Sequence, residues 1–242
     1  MLNQNMNFLT SEQGGSYHDH IDVSYCRVEF QLSSYTDKLF QSLNVDFPSV
    51  LNDAVNKRKA EFLAGRYCAK RALLALNVEN PKVGIGYKRA PIWPNNIKGA
   101  ISHTTHTAIC ITTADEKIKG IGVDQEIILE DKIITDIQSQ IVSQQEVKLL
   151  RSIELSFAAA FTMAFSIKES FFKAMFPKYL EYFDFDAVSI IESDVNRNMG
   201  RVTISLNMTF SSDFKKGQKL QGLFTMYKEE HGPMVETFIV LR

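Results

Sequence analysis

The chain has 242 residues, which is long for one compact lobe and short for two large domains. Hydrophobic residues make up 45% and charged residues 23%, so the chain has ample apolar material for a core and disorder is excluded as its dominant state. The 27 basic and 28 acidic residues leave a net charge of -1, which disfavours general binding to nucleic acid.

The first half of the chain predicts a strand, a long helix, a loop and two more strands. The first two dozen residues are polar, and we expect them to be flexible at least in part. A strand is predicted from Tyr25 to Leu32, and apolar side chains at helical spacing predict a helix from Leu51 to Leu76. Residues 81–99 are rich in Pro, Gly and Asn and predict a loop. Two strands follow at residues 100–103 and 107–113.

The second half repeats this content and ends in strands. A strand is predicted from Ile118 to Val123, and helices from Val147 to Arg151 and from Phe157 to Met175, the second ended by Pro177. Later strands are predicted at residues 188–192, 202–206, 220–227 and 236–241. This order indicates an α+β fold of two similar halves that meet near residues 115–120, which gives domains at residues 1–117 and 118–242.

Several classes of protein are disfavoured by what the chain lacks. The cysteines Cys26, Cys68 and Cys110 form no metal-binding pattern, and we expect buried reduced thiols in a cytoplasmic protein. The N-terminus has neither the basic nor the apolar region of a secretory signal. The longest uncharged apolar stretch, Leu155 to Ile167, is shorter than the ~20 residues of a membrane span. No dinucleotide-binding or P-loop motif is present.

An acidic pair follows the predicted strand from Ile118 to Val123, in the segment Gly-Ile-Gly-Val-Asp-Gln-Glu. Asp124 and Glu126 share one face of the strand, with Cα atoms ~6.6 Å apart, and Ile121 and Val123 share the other. Two carboxylates placed in this way can bind Mg²⁺, which prefers oxygen ligands. A solvated strand end is the simpler interpretation of this segment taken alone.

A second cluster of charges lies in the segment Phe-Ser-Ile-Lys-Glu-Ser-Phe-Phe-Lys of the last predicted helix. Glu169 and Lys173 are four residues apart and lie on one side of this helix. An exposed ion pair is one interpretation. The apolar surroundings of Lys168, Glu169 and Lys173 favour instead a position at a rim, or a partner such as a metal or a phosphate.

Basic and polar residues stand out in the first half as well. Arg58 and Arg66 are ~80° apart on their predicted helix and can face one anion, although a solvated charged face is the usual alternative. Ser102 and His103 end a strand and can each donate a hydrogen bond to a phosphate. A Ser/His hydrolase pair is disfavoured, because adjacent strand residues point to opposite faces and no GxSxG motif is present.

Taken together and in order, these motifs resemble one family. Four segments, RKAEFLAGR, PIWP followed by GAISHT, GVDQE and FSIKESFFK, are similar to those of the 4'-phosphopantetheinyl transferases of the surfactin type, and most similar to the enterobactin-synthase component D branch. Each motif is weak alone, and the four in this order make a strong signal. The resemblance covers roughly residues 50–180.

The resemblance implies a monomeric pseudodimer of two α+β halves with coenzyme A bound between them. The family's magnesium carboxylates fall on Asp124, Glu126 and Glu169, and its catalytic residues on Glu169, Lys168 and Lys173. Its coenzyme A contacts fall on Arg58, Arg66, Lys88, Ser102 and His103. Gln125 replaces the usual aliphatic residue between the carboxylates, and we expect this change to affect packing more than metal binding.

The implied reaction is Mg²⁺-dependent transfer of 4'-phosphopantetheine from coenzyme A to a serine of apo acyl or peptidyl carrier domains. It needs a cation on the pyrophosphate, positive charge near the leaving phosphate and a base for the serine, for which Glu169 is the best candidate. The branch implies clients in non-ribosomal siderophore synthesis. Polyketide or fatty-acid carriers are an alternative, as is a non-catalytic coenzyme A-binding protein, which would not need the three carboxylates.

Overall fold

The chain divides into two units, each with one main antiparallel sheet and one long helix. The structure, a computed structural model, describes residues 7–17, 20–180 and 182–242. The units are Met1–Lys117 and Ile118–Arg242. Because both contain helices and antiparallel strands, the predicted α+β fold class is confirmed.

The first unit is a four-stranded sheet in the order β1-β2-β6-β5, with the long helix α2 packed on one face. A separate two-stranded ribbon is formed by β3 and β4. The elements are β1 Leu9–Tyr17, β2 His20–Phe30, α1 Lys38–Ser42, α2 Asn56–Ala75, β3 Gly84–Ile85, β4 Pro91–Ile92, β5 Lys98–His103 and β6 Thr107–Thr113.

Helix α2 packs on the sheet through small and aliphatic side chains at helical spacing. Ala60, Leu63, Ala64 and Ala72 are fully buried against the strands. The helix begins later than predicted, because the preceding residues 49–51 form a separate 3-10 turn. Its basic residue Arg58 faces His103 on β5.

The polar N-terminus, which is predicted to be flexible at least in part, forms paired strands where the structure describes residues 9–17 and 20–24. Here the chain forms β1 and the first part of β2, which pair in antiparallel register. Glu12 on β1 accepts hydrogen bonds from Arg71 Nε and from the Tyr67 hydroxyl, both at 2.7 Å, and so ties the strand to α2. The three cysteines are free and buried, as the sequence predicts.

The second unit is a five-stranded antiparallel sheet in the order β7-β11-β10-β9-β8, with α5 packed on one face. Its hydrophobic core lies between this face and the helices. The elements are β7 Gly120–Ile127, α3 Asp131–Ile141, α4 Gln144–Leu150, α5 Phe157–Tyr179, β8 Val188–Asn196, β9 Met199–Leu206, β10 Lys219–Glu229 and β11 Gly232–Leu241.

Two features of the second unit's helices differ from the prediction. Helix α3, which buries Ile134 and Ile141, was not predicted. Helix α5 begins at Phe157 as predicted, but the expectation that Pro177 ends it is wrong, because the proline lies inside the last turn and the helix continues to Tyr179. None of the described helices combines the length and the apolar character that a membrane span requires.

Candidate active site

Helix α5 lies unusually close to strand β7, because two glycines open the strand's helix-facing side. A Cβ atom at Gly122 would lie 1.8 Å from the carbonyl oxygen of Ser170, and one at Gly120 would lie 2.4 Å from that of Ala174. Any side chain at either position would collide with the helix backbone. The alternation of the strand directs Asp124 to this same face, so its carboxylate meets α5 at close range.

Buried hydroxyl groups fasten the same helix to the neighbouring strand β11. The Thr237 hydroxyl lies 2.9 Å from Ser166 Oγ and 2.8 Å from Ser170 Oγ, and Ser170 Oγ also donates to the Thr237 carbonyl at 3.1 Å. All three residues are inaccessible to solvent. Because buried polar groups are costly unless they are hydrogen-bonded, this network fixes the helix in one position along the strand.

The two carboxylates of β7 and the charged pair of α5 come together at this contact. Lys173 Nζ donates to Asp124 Oδ1 at 2.5 Å, and Asp124 is only 2% exposed. Glu126 and Glu169 are half-buried beside them and interact electrostatically with both Asp124 and Lys173. The structure therefore brings together Asp124, Glu126, Glu169 and Lys173.

The electrostatics of this cluster reflect negative charge that is withdrawn from water. Burial raises the pKa of Glu126 to about 7, with Asp124 and Glu169 adding to the rise and Lys173 opposing it. Burial also raises the pKa of Glu169, and Lys173 and Asp124 act on it in opposite directions. A carboxylate with a raised pKa is a stronger base, so Glu169 is suited to accept a proton from a hydroxyl group.

Gln125, the residue between the acidic pair, points to the opposite face of the sheet. Its Nε2 donates to Glu236 Oε2 at 2.5 Å, and the two residues are direct partners in the pairing of β7 with β11. Both are buried. The amide therefore satisfies a buried carboxylate on the far face, and it takes no part in the cluster on the helix-facing side.

Lys168, the first residue of the Lys-Glu-Ser motif, has a different environment from Glu169 and Lys173. It is 3% exposed, and its ammonium contacts Glu146 Oε1 at 2.8 Å, the Ile141 carbonyl at 2.8 Å and the Phe185 carbonyl at 3.1 Å. An ammonium has three donors, and these contacts use all of them. The geometry is that of a structural ion pair, so Lys168 is left out of the catalytic set proposed below.

Glu146, the partner of Lys168, was not singled out in the sequence. It forms a capping box with Ser143 at the start of α4, and its other oxygen accepts from the backbone N–H of Ile190 at 2.9 Å. A Ser-x-x-Glu sequence before an apolar segment was a detectable signal for this cap. Its contact with Lys168 is a tertiary one, which no local pattern reveals.

The acidic cluster contains oxygen donors that a metal ion could use. Within residues 7–17, 20–180 and 182–242, no three His, Cys, Asp or Glu side chains form a ready metal site. The donor chemistry nevertheless suits Mg²⁺, because the buried carboxylates raise one another's proton affinity and all their donors are oxygens. A divalent cation would offset this repulsion, which Lys173 offsets only in part.

In the first unit, a second set of predicted site residues meets between α2 and β5. Arg58 Nη1 lies 3.2 Å from His103 Nε2, and His103 Nδ1 lies 3.9 Å from Glu61 Oε2. Because a guanidinium only donates, Nε2 accepts, and a neutral ring carries its proton on Nδ1, on the side of Glu61. Arg58 therefore lies beside His103 with further N–H groups that can reach an anion, whereas the two ring nitrogens of His103 face Arg58 and Glu61.

Arg66 lies two turns further along α2 and is buried, with 9% of its surface exposed. Its Nη2 donates to the Gly84 carbonyl at 3.0 Å, and its guanidinium covers the Phe62 ring at 5.0 Å. Its Nε and Nη1 have no hydrogen-bond partner among the described residues. Burial lowers the pKa of Arg66 to about 10, which is the signature of a charge that lacks an anion.

Ser102 and Lys88 differ in their surroundings from Arg58 and His103. Ile101 and His103 face α2, so the alternation of β5 directs Ser102 to the opposite face of the sheet. Lys88 has a left-handed backbone, with φ of 50°, and its Nζ lies 5.6 Å above the ring of Tyr87. The structure therefore joins Arg58 to His103, whereas the phosphate contacts of Ser102 and Lys88 rest on the resemblance alone.

Comparison with known protein families matches the two segments of the chain that contain these clusters. The model of the 4'-phosphopantetheinyl transferase N-terminal domain matches residues 47–113, and that of the 4'-phosphopantetheinyl transferase superfamily matches residues 120–223. The chain belongs to the 4'-phosphopantetheinyl transferase superfamily. The first match contains the set around Arg58, and the second contains the carboxylates of β7 together with all of α5.

Individual transferases of this superfamily are similar to parts of the chain. Enterobactin synthase component D of Salmonella typhi is 40% identical over 124 residues, which cover 51% of each protein. The Salmonella typhimurium protein of that name is 37% identical over 147 residues, or 61% of this chain and 60% of the relative. The 4'-phosphopantetheinyl transferase PptT of Mycobacterium tuberculosis is 26% identical over 191 residues, or 78% of this chain and 81% of the relative.

These identities show that the matched part of the chain is similar to enterobactin synthase component D. The chain spans little more than half the length of the Salmonella relatives that it matches.

Proposed function

We propose that the chain transfers the 4'-phosphopantetheine group of coenzyme A to a serine of apo carrier domains. The serine oxygen forms a bond to the β-phosphorus, the bond from that phosphorus to the bridging oxygen breaks, and adenosine 3',5'-bisphosphate leaves. The observation that carries this proposal is the meeting of Asp124, Glu126, Glu169 and Lys173 at the contact of β7 with α5.

Within this cluster, Glu169 and Lys173 have complementary roles. Glu169 accepts the proton of the serine hydroxyl, because burial raises the proton affinity of its carboxylate. Lys173 supplies positive charge to the phosphate oxygens as the leaving group departs. Its present partner is Asp124, and one turn of α5 separates it from Glu169.

The carboxylates of Asp124, Glu126 and Glu169 would hold a Mg²⁺ ion. When bound, this ion would neutralise charge on the pyrophosphate that the serine attacks. The residues that fix this arrangement are Gly122, which admits the helix, and Ser170 and Thr237, which hold it in register.

The basic set of the first unit would bind the nucleotide end of coenzyme A. Arg58, which lies beside His103, has further N–H groups to donate, and Arg66 is a buried cation with two N–H groups that need acceptors. Guanidinium groups bind phosphate through two parallel hydrogen bonds, which suits the 3'-phosphate. Lys88 and Ser102 complete the set through the family resemblance.

The relatives named enterobactin synthase component D support siderophore-producing peptide synthetases as the client pathway. Carriers of polyketide or fatty-acid synthesis would undergo the same chemistry. The test is incubation of the full chain with coenzyme A, Mg²⁺ and apo carrier domains of all three classes, followed by intact mass. The gain of one phosphopantetheine group supports the proposal, and coenzyme A binding without any transfer would favour a non-catalytic binding protein.

A further inference from the structure

The C-terminal end of α5 carries an apolar surface that the reaction itself does not use. We define the α5-end patch as Phe172, Leu180 and Tyr182, with the Phe176 ring, only 6% exposed, packed beside Phe172. Tyr182 is 66% exposed and Leu180 is 54% exposed, and Phe172 is half-buried between them and the active site. The Phe172 ring lies 5.0 Å from that of Phe176 and 5.4 Å from that of Tyr182, so the patch is continuous.

The patch is an extension of the stripe that carries the reacting groups. Glu169, Phe172, Lys173 and Phe176 stand at positions i, i+3, i+4 and i+7 of α5, which share one face of a helix. The helical rise puts Phe172 ~4.5 Å and Phe176 ~10.5 Å along the axis from Glu169. Any large molecule that reaches Glu169 along this stripe also reaches the patch.

The backbone at Leu180 gives a second, independent sign of use. Leu180 adopts a left-handed conformation, with φ of 54°, and its N–H donates to the Phe176 carbonyl at 2.8 Å as it closes the helix. Glycine is the usual residue at such a cap, because a side chain there is strained. The exposed Leu180 side chain gains little from burial to offset this strain, and strain of this kind is found at binding sites.

We propose that the α5-end patch is the docking surface for the carrier domain whose serine is modified, and that it meets apolar side chains beside that serine. This inference rests on the proposed function, because the acceptor serine belongs to a folded domain and can approach Glu169 only if the surrounding surfaces meet. A standard interface covers ~800 Å² per partner, or roughly 30 Å across, and Leu180 lies ~16.5 Å along the axis from Glu169, so one footprint of that size spans both Glu169 and the patch. Exposed tyrosine suits such a role, because it contributes disproportionately to interface affinity.

The test compares three variants of the full chain with wild type, using an apo carrier domain that wild type modifies in the presence of coenzyme A and Mg²⁺. Tyr182→Ala and Leu180→Gly remove exposed side chains of the patch, and Leu180→Gly also relieves backbone strain. Met199→Ala is the matched control, because Met199 is 51% exposed on β9 and lies outside the patch. The measurements are KM for the carrier, KM for coenzyme A, kcat and Tm.

We expect Tyr182→Ala and Leu180→Gly each to raise KM for the carrier about fivefold to tenfold, with kcat and KM for coenzyme A within twofold of wild type. Leu180→Gly should do so with an equal or higher Tm, which a merely structural role would not produce. Carrier KM values within twofold of wild type for both variants would overturn the docking proposal alone. The same holds if the variants change only the protein's sedimentation as an oligomer or its binding to vesicles. Failure of wild type to modify any carrier would contradict the proposed function and this inference with it.

Discussion

Lys173 Nζ lies 2.5 Å from Oδ1 of Asp124, and this ion pair joins helix α5 to strand β7 at the centre of the acidic cluster. Asp124 is almost fully buried, whereas the Lys173 side chain remains 24% exposed. In the proposed reaction the Asp124 carboxylate also binds a cation, and the Lys173 ammonium also contacts a phosphate. Substrate binding is therefore expected to loosen the pair, and variants at either residue should affect chemistry more than folding.

Replacement of Asp124 by Asn tests the requirement for a cation. Asn keeps the shape and an acceptor for Lys173 but loses the charge, so we expect transfer to fall at least about 100-fold and added Mg²⁺ to raise Tm no longer. The measurements are single-turnover transfer by intact mass and thermal unfolding with and without Mg²⁺. Asp213→Asn is the control, because its ion pair with Lys119 is exposed. Full activity of wild type in excess chelator would contradict the assignment.

Replacement of Glu169 by Gln tests its role as the base. The amide can still accept a hydrogen bond but cannot take a proton, so kcat should fall about 10²-fold to 10⁴-fold. Coenzyme A affinity, measured by calorimetry, should change far less. If Glu169 served only as half of a helical ion pair with Lys173, the substitution would lower the stability by a few tenths of a kcal/mol and leave kcat nearly unchanged. A variant that keeps most of the wild-type rate would therefore support the structural interpretation.

Replacement of Lys168 by Met separates folding from catalysis. The change leaves Glu146 buried without its cation, and the loss of one partner of a buried pair costs ~3–5 kcal/mol. We expect a lower free energy of unfolding and a near-normal kcat per folded molecule, with part of the stability restored by the double variant Lys168→Met/Glu146→Gln. Lys119→Met, at an exposed pair, should cost at most ~1 kcal/mol. Native stability with lost activity would instead make Lys168 a catalytic residue.

Replacement of Gly122 by Ala tests the close approach of α5 to β7. The added methyl group would lie 1.8 Å from the Ser170 carbonyl oxygen, so the helix must move away from the strand. Overpacking of this kind costs at least ~1–3 kcal/mol, and a shift of about 1 Å between Glu169 and Asp124 should lower transfer about 100-fold. Thermal unfolding and single-turnover rates measure the two effects. Gly217→Asn is the control, because Gly217 is left-handed and has open space around it. An active Gly122→Ala enzyme would show that the helix position is not critical.

Much of the fold and of the acidic site could be predicted because both depend on local patterns. Helix α5 begins at the predicted Phe157, and strand β6 has the predicted bounds 107–113. The alternation of a strand puts Asp124 and Glu126 on one face, and the repeat of a helix puts Glu169 and Lys173 on one side, whereas only the family resemblance brought these two pairs together. Strand β1 escaped prediction because it is an exposed edge strand with two glycines, whose pairing depends on its partner strand.

The part of the site that could not be predicted depends on contacts between distant segments. Lys168 and Lys173 stand in one motif with the same side chain, and only the tertiary partners of each distinguish them. Lys168 meets Glu146 and the carbonyl groups of Ile141 and Phe185, whereas Lys173 meets Asp124. The resemblance to a family assigned both lysines to catalysis. The burial of one and the partial exposure of the other separate their roles.

Arg66 carries a buried guanidinium that is suited to bind an anion. Its Nε and Nη1 lack acceptors among the described residues, so an anion that reaches them gains two charge-assisted hydrogen bonds. We expect the 3'-phosphate of coenzyme A to be this anion, and wild type to discriminate against dephospho-coenzyme A. Contacts made equally in the ground state and the transition state act on KM, and each is worth ~1.5–3 kcal/mol. Arg66→Met should therefore lose about 10-fold to 100-fold in kcat/KM for coenzyme A and little for dephospho-coenzyme A.

Stability distinguishes this role of Arg66 from a structural one. Met fills much of the same space and removes a desolvated charge, so Tm should stay within a few degrees of wild type despite the loss of the bond to the Gly84 carbonyl. Arg58→Ala, which removes the more exposed partner of His103, should reduce the same discrimination. If both variants keep the wild-type preference for coenzyme A while Arg66→Met lowers Tm sharply, then Arg66 serves to hold the loop at Gly84. In that case the 3'-phosphate is bound elsewhere.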